Sequence, residues 1–454
     1  MSETYLVVGA GKSGIAAIDL LLREGKDCIL YDGNEKLSAE DLRNEHENRK
    51  NLPIYTGNLP EEVLEKADIA VLSPGVPTDL PVVDQMRDHG LKIWGEVELA
   101  YELGKGTVCA ITGTNGKTTT TSLTGEIMKT AFDSVFVVGN IGIPYTGVAD
   151  QTRDDSVIVA EISSFMLETI DEFHPHVSAI LNITPDHLNR HHTMENYIKA
   201  KENITRNQTK GDVVILNYED SVLREFGKSL AEKNTVRVVY FSSKEAVPGG
   251  MYVENGHLIS EFSGEKTDIL DVKELNIVGA HNYENALAAI AFGQAMGVSL
   301  DNIRKALRNF KAVPHRIEYT CEKRGVRFYN DSKGTNPDAA IKAVDAMEWP
   351  TCLIGGGFDK GNDFTEWVSH FPGKVKKLAL IGVTAKKIAE ACDKIGFHDY
   401  VFCDSLEEAI DRCYEAAESG DCVLLSPACA SWDMFKSYEQ RGDLFKDYVR
   451  KLPE

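Results

Sequence analysis

No apolar run in the chain approaches the roughly 20 residues that a bilayer crossing requires. The N-terminus enters a strand at once, without the basic then apolar segment of a secretory leader, so a cytoplasmic protein without membrane insertion is expected. Positive charge is also in deficit. Against 70 Asp and Glu there are 49 Lys and Arg, a formal charge of −21, and a polyanion such as nucleic acid is therefore not expected as a partner. Any anionic ligand must be held by local positive sites. The nine cysteines form no C-x-x-C pair, which favours reduced thiols in packed interiors over a disulfide frame or a zinc knuckle. There is no internal repeat and no low-complexity tract.

What is present is length and rhythm. At 454 residues the chain exceeds a single core and suggests about three domains. Short β-branched runs alternate with helical patterns throughout, at 5–10, 28–32, 69–73, 108–112, 135–139, 157–162, 179–184, 213–217, 352–356, 378–382 and 422–426. This is the pattern of βαβ units and mainly parallel sheets, an α/β class. Two breaks in the rhythm divide the chain. W-G-E-V-E-L-A-Y-E-L-G, near residues 94–104, reads as a helical connector with no further strand before it. F-K-A-V-P-H-R, near 310–316, precedes a hairpin of 317–321 and 326–330. Domains of 1–95, 96–312 and 313–454 follow.

Residues 111–121 read I-T-G-T-N-G-K-T-T-T-T, between an apolar run and a helical stretch. A glycine turn that feeds a helix leaves backbone N–H groups converging on one point, where a phosphate can accept from them. Lys117 adds a point charge for the terminal phosphates, and Thr118 a hydroxyl where a nucleotide-bound Mg²⁺ would sit. The first glycine is Gly113, not residue 111, so this is a shortened phosphate loop. A second glycine signal, Gly9, Gly11 and Gly14 in V-V-G-A-G-K-S-G, is followed by Asp32 at the end of the next strand. It reads as a diphosphate turn. The alternative is a turn that only lets strand and helix pack.

Glu161 closes an apolar run in A-E-I-S-S-F and suits Mg²⁺, while T-P-D-H-L-N-R-H-H brings Asp186 and His187 to the same sheet edge. From spacing alone His187 is a metal ligand or a loop residue beside an N-capping aspartate, and His191 and His192 are solvent-facing loop residues. Helical spacing puts Tyr197, Lys201 and Ile204 on one face. For Lys201 the preferred reading of that spacing is snorkelling, with the stem buried and the ammonium in water.

The ordered set G-T-N-G-K-T-T, G-N-I-G, E-I-S-S-F, T-P-D-H-L, Y-I-K-A-K, H-N-Y-E-N-A, P-H-R, N-D-S-K-G-T-N and L-L-S-P-A-C-A-S-W-D-M-F-K-S-Y-E-Q-R-G-D resembles the Mur ligases along the entire chain. Its ending is most similar to the branch that adds D-glutamate to UDP-N-acetylmuramoyl-L-alanine through an acyl phosphate, in peptidoglycan precursor synthesis. The resemblance implies a monomer of three domains: an N-terminal Rossmann-like UDP-binding domain, a central P-loop ATPase and a C-terminal Rossmann-like domain for the amino acid. It implies that Gly113, Thr114, Asn115, Gly116, Lys117, Thr118 and Thr119 hold the ATP phosphates, and that Asn282, Arg316 and Asp331 contact the rest of the nucleotide. Thr118 and Glu161 would serve one Mg²⁺, and His187 with a carbamate on Lys201 a second. Asn140 would lie beside the reacting carboxylate, with Lys12, Ser13, Asp32 and Gly75 on the UDP side. Lys333, Thr335, Lys360 and Ser431 would take D-glutamate.

The chain departs from the family pattern at Tyr438, where Phe is expected near the amino acid, and at Gly33 and Asn34, where some relatives carry Thr and Arg. A folylpolyglutamate-synthase-type ligase shares the central loop but lacks the N-terminal glycine unit and the ending. A nucleotide-regulated binding protein is the alternative outside ligase chemistry.

Overall fold

The structure, a computed structural model, describes residues 3–277, 279–311 and 313–453. Met1, Ala312 and Glu454, which bound the expected domains, lie outside the described residues. Three sheets follow one another along the chain, each of the mainly parallel kind that the rhythm predicts.

The first contains β1 (Thr4–Val8), β2 (Asp27–Asp32), β3 (Ile54–Thr56), β4 (Ile69–Leu72) and β5 (Lys92–Gly95), in the order β3-β2-β1-β4-β5 and parallel throughout. The strand β5 corrects the reading of residues 94–104 as connector alone. K-I-W-G is too short to show a period, yet it pairs with β4 before the helix Glu96–Leu103 begins. That helix buries two carboxylates. Glu98 accepts from the N–H groups of Asp171, Glu172 and Phe173, and Glu96 accepts from Thr146 N–H and hydroxyl, so both act as caps for loops between strands of the second sheet.

The second sheet contains β6 (Thr107–Thr112), β7 (Val135–Gly139), β8 (Val157–Glu161), β9 (Val177–Ile180), β10 (Val213–Asn217), β11 (Arg237–Ser242), β12 (Met251–Glu254), β13 (His257–Ser260) and β14 (Thr267–Asp271). Its order is β14-β13-β12-β11-β10-β9-β6-β8-β7, antiparallel only in the last ribbon. The central strands β6, β8, β9 and β10 are almost wholly buried. This is why they read as unbroken apolar runs rather than alternating ones.

The third contains β15 (Glu318–Lys323), β16 (Val326–Asn330), β17 (Thr351–Gly356), β18 (Val375–Ile381), β19 (Tyr400–Phe402) and β20 (Cys422–Leu425), in the order β15-β16-β20-β17-β18-β19. The expected hairpin is β15 with β16. An apolar layer covers each face of this sheet. By compactness the first two sheets and residues 284–307 form one unit, and residues 273–283 with 308–454 a second. All nine cysteines are free thiols, eight of them buried.

Candidate functional site

In the first unit the phosphate loop joins β6 to the helix Lys117–Lys129. Gly116 is the N-cap, at φ +84, and a Cβ there would fall 2.3 Å from Asn285 Oδ1, so only glycine fits the turn. Asn182, just past β9, clamps the loop: its carbonyl and side-chain oxygen accept from the N–H groups of Thr114 and Asn115, and its amide donates to Asn115 O. The Thr114 hydroxyl lies 3.0 Å from Tyr197 Oη. Thr114 and Asn115 thus hold the loop's shape, and the first turn of the helix, with Lys117, Thr118 and the buried Thr119, is the portion that could hold an anion. Asn182 carried no expectation from sequence; only its place after a strand could have suggested it.

Two lysine side-chain nitrogens converge on one carbonyl. Lys117 Nζ donates to Gly113 O at 2.8 Å and to Thr114 O at 2.8 Å, and Lys201 Nζ donates to the same Gly113 O at 2.9 Å. Lys201 is only 2% exposed, which overturns the snorkelling reading. Helical spacing identified the face correctly, with Tyr197 and Ile204 equally buried, but could not tell a stem that escapes from one held beneath a loop. Burial drives the Lys201 pKa well below the usual lysine range, repulsion from Lys117 adds to this, and Asp186 opposes it.

Glu161 ends β8 beside Ile111 of β6 and Gly139 of β7. Its Oε1 accepts from Asn140 Nδ2 at 2.9 Å, and the Asn140 N–H donates to its carbonyl. Its other oxygen, Oε2, is buried with no hydrogen-bond partner among the described residues. A buried carboxylate oxygen left in this way is costly unless a cation completes it, so the donor chemistry fits Mg²⁺ at Glu161. Asn140 and Glu161, expected in separate roles, are one hydrogen-bonded pair.

His187 sits at φ +52, half exposed, 4.9 Å from the Phe165 ring. His191 is not solvent-facing as expected: it is buried, with Nε2 at 2.9 Å from Ser164 Oγ and Nδ1 at 3.3 Å from Glu168, and burial lowers its pKa. His192 is exposed, paired with Asp79.

At the N-terminal turn, Gly14 lies so close to Gly9 that a Cβ would meet its carbonyl oxygen at 1.8 Å, the close packing that the fingerprint implies. Asp32 accepts from the N–H groups of Ala10 and Asn34, and so shapes the turn directly. Lys12 and Ser13 open the helix Lys12–Arg23, and Gly75 lies exposed in the loop after β4. The Lys12 ammonium reaches the Gly142 carbonyl of the loop that carries Asn140, at 2.5 Å.

In the second unit Asp331 is buried. It accepts from Ile317 N–H and the Ser426 hydroxyl, with Arg316 at 3.6 Å, and burial outweighs these partners to push its pKa up to about 6. Asn282 is buried in the helix Ala280–Ala295. Lys333 faces the Tyr438 ring at 5.7 Å, and Thr335 N–H donates to Lys333 O. Lys360 lies 5.2 Å from the ring of Trp432, the neighbour of the buried Ser431. The arrangement depends on Arg441, to which sequence reasoning gave no role. Its buried guanidinium donates to Ser332 Oγ and O and to the carbonyls of Cys429 and Ala430, binding together the loop that carries Lys333 and Thr335 and the loop that carries Ser431.

A P-loop sheet with a carboxylate and a buried lysine at its carboxyl end, preceded and followed along the chain by a further α/β sheet, defines a class, and the chain belongs to the Mur ligase family. Residues 3–95 match the MurD-like N-terminal domain, 111–293 the Mur ligase middle domain and 315–429 the glutamate ligase domain of that family. Within it the chain is 53% identical to the UDP-N-acetylmuramoylalanine--D-glutamate ligase of Lachnoclostridium phytofermentans, over 100% of this chain and 99% of that protein. To its counterpart from Lachnospira eligens it is 54% identical, over 99% of each. Among solved structures it shares its fold with the UDP-N-acetylmuramate-alanine ligase of Thermotoga maritima, at TM-score 0.59, 20% identity and 99% coverage of both chains. The MurF ligase of the same organism, in complex with ADP, aligns at TM-score 0.60 and 17% identity, covering 99% of this chain and 96% of that one.

Proposed function

We propose that the chain is an ATP-dependent amide-bond-forming ligase that joins D-glutamate to UDP-N-acetylmuramoyl-L-alanine in the cytoplasm. The observation that carries this is the convergence of Lys117 and Lys201 on Gly113 O, two residues past the strand position Ile111 that pairs with Glu161, whose Oε2 is left uncompensated. This is a site built for a triphosphate and a divalent cation. The printed name of the full-length relatives supports the choice of acceptor and amino acid.

The parts are assigned as follows. Residues 1–95 take the UDP moiety through Lys12, Ser13, Asp32 and Gly75, residues 96–312 take ATP, and residues 313–454 take D-glutamate. Lys117 and the first helical turn at Thr118 and Thr119 hold the phosphates; Asn282, Arg316 and Asp331 serve the rest of the nucleotide. Thr118 and Glu161 would hold one Mg²⁺, and His187 with Lys201 a second. Bound there, the ions offset the charge that gathers as phosphate is transferred. A lysine whose pKa is depressed gives up its proton more readily than an ordinary one. Once neutral, its nitrogen can add to CO₂ and lose a proton, leaving a carbamate anion in place of the amine.

The acceptor carboxylate, with Asn140 beside it, attacks the γ-phosphorus and ADP departs, leaving an acyl phosphate. The amine of D-glutamate, on Lys333, Thr335, Lys360 and Ser431 beside Tyr438, attacks the acyl carbon. Phosphate leaves, one proton passes to solvent, and the amide remains. Water must be kept from the acyl phosphate, or ATP is hydrolysed without product.

The test is phosphate release. The ligase reading expects little until ATP, the UDP-muramoyl acceptor and D-glutamate are all present. Release that ignores the amino acid contradicts it and favours a nucleotide switch; release with a pterin acceptor favours the folylpolyglutamate-type ligase.

A further inference from the structure

The histidine loop of the central sheet is tied to the loop after β4 of the N-terminal sheet, and Arg190 is the more buried of the side chains that make the tie. Arg190, three residues after His187, donates from Nη2 to the Val76 carbonyl at 3.0 Å and to Glu168 Oε2 at 2.7 Å. The Thr78 hydroxyl donates to the same Oε2 at 3.4 Å, and His191 Nδ1 lies 3.3 Å from Oε1. The guanidinium stands 5.0 Å over the Phe165 ring, which also packs on His187 at 4.9 Å and His191 at 5.4 Å. Both charged side chains are shielded, with 11% exposure for Arg190 and 15% for Glu168. Val76 and Thr78 belong to the loop of Gly75, and His192 reaches Asp79 of that loop at 3.1 Å.

We propose that Arg190 is a positioning residue that couples the acceptor loop to the cation site: held by Glu168, its guanidinium fixes the place of His187 relative to Gly75–Asp79. The inference rests on the roles of Gly75 and His187 in the proposed function. A planar guanidinium presents several donors in fixed directions and can serve two acceptors from different loops while its face packs on a ring; an ammonium cannot reproduce that. When the acceptor orders the Gly75–Asp79 loop, the Val76 carbonyl, Arg190, Phe165 and His187 are ordered with it. Coupling of this kind is reciprocal, so acceptor and magnesium nucleotide must tighten each other's binding by one factor.

Calorimetric titration of the full chain with UDP-N-acetylmuramoyl-L-alanine, with and without magnesium and a non-hydrolysable ATP analogue, measures that factor. The expected result is an acceptor Kd about tenfold or more lower with the magnesium nucleotide in the wild type, falling to within about twofold in Arg190→Lys. Arg190→Lys should keep a melting midpoint near the wild type. In Arg190→Ala, millimolar guanidinium should restore part of the coupling, and the KM for D-glutamate should stay unchanged in both variants. A coupling factor in Arg190→Lys equal to that of the wild type overturns the inference, as does a D-glutamate KM that rises in step with the acceptor KM. A wild type that fails to bind the acceptor removes the functional reading and this inference together, whereas a wild type that binds it with coupling indifferent to residue 190 removes the inference alone.

Discussion

Two glycine turns in the first unit begin alike and end differently. In each, a strand runs into a glycine that caps a helix, and the first helical residue is a lysine: Gly11 and Lys12 after β1, Gly116 and Lys117 after β6. Gly116 is left-handed at φ +84, which curls the loop so that Lys117 folds back on the carbonyls of Gly113 and Thr114. Gly11 is extended at φ −74 and ψ −178, so its chain passes straight on and Lys12 reaches outward to Gly142. The capping glycine's backbone decides whether the lysine closes a compact phosphate cradle or spans to another domain.

The sharpest way to break the comparison is to remove each lysine. Lys117→Ala should lower ADP formation about a thousandfold, the scale of losing a donor aimed at developing charge, while equilibrium binding of the UDP acceptor stays near wild type. Exchanging the capping glycines comes next. Gly116→Ala forces a strained φ and a contact with Asn285, at a cost on the order of 1–3 kcal/mol in urea unfolding. Gly11→Ala meets no atom within 4 Å and should change stability by less than about 0.5 kcal/mol. Equal losses would show that the two caps do not differ as described. Lys12→Ala should raise the acceptor KM by roughly tenfold, about the worth of one exposed contact to a charged group, and leave the KM for ATP alone.

The smallest effect is on the pH dependence of stability. Lys201 has its folded pKa well below the ordinary 10.5, so between that lowered value and 10.5 the unfolded chain binds a proton that the native one does not. Stability should therefore rise with pH across this window, and Lys201→Met should flatten the rise in urea midpoints measured from pH 7 to 10. An unchanged slope would mean that the buried amine does not titrate as its surroundings require.

The contrast also marks how far the sequence reaches. Both turns, and the parallel strands beside them, were legible because buried strands write themselves as unbroken β-branched runs, and because the close approach at Gly14 and the left-handed turn at Gly116 require glycine. The ribbon of β12 to β14 was not read, although its Asn255–Gly256 turn, with both residues at positive φ, carries a hairpin signal. The strand β5 was too short to show a period. At the candidate site, Lys117, Glu161 and Lys201 stood out by type and place, but the burial of Lys201 depends on a loop 88 residues earlier. Arg190 and Arg441 were invisible as organisers because their partners lie up to 114 and 109 residues away.

The most direct test of the account follows oxygen. With the acceptor carboxylate labelled with heavy oxygen, ATP and D-glutamate present, the account predicts one labelled oxygen in each phosphate released, because the acid attacks phosphorus before the amine displaces it. Phosphate released without label, while the amide product forms, would contradict it.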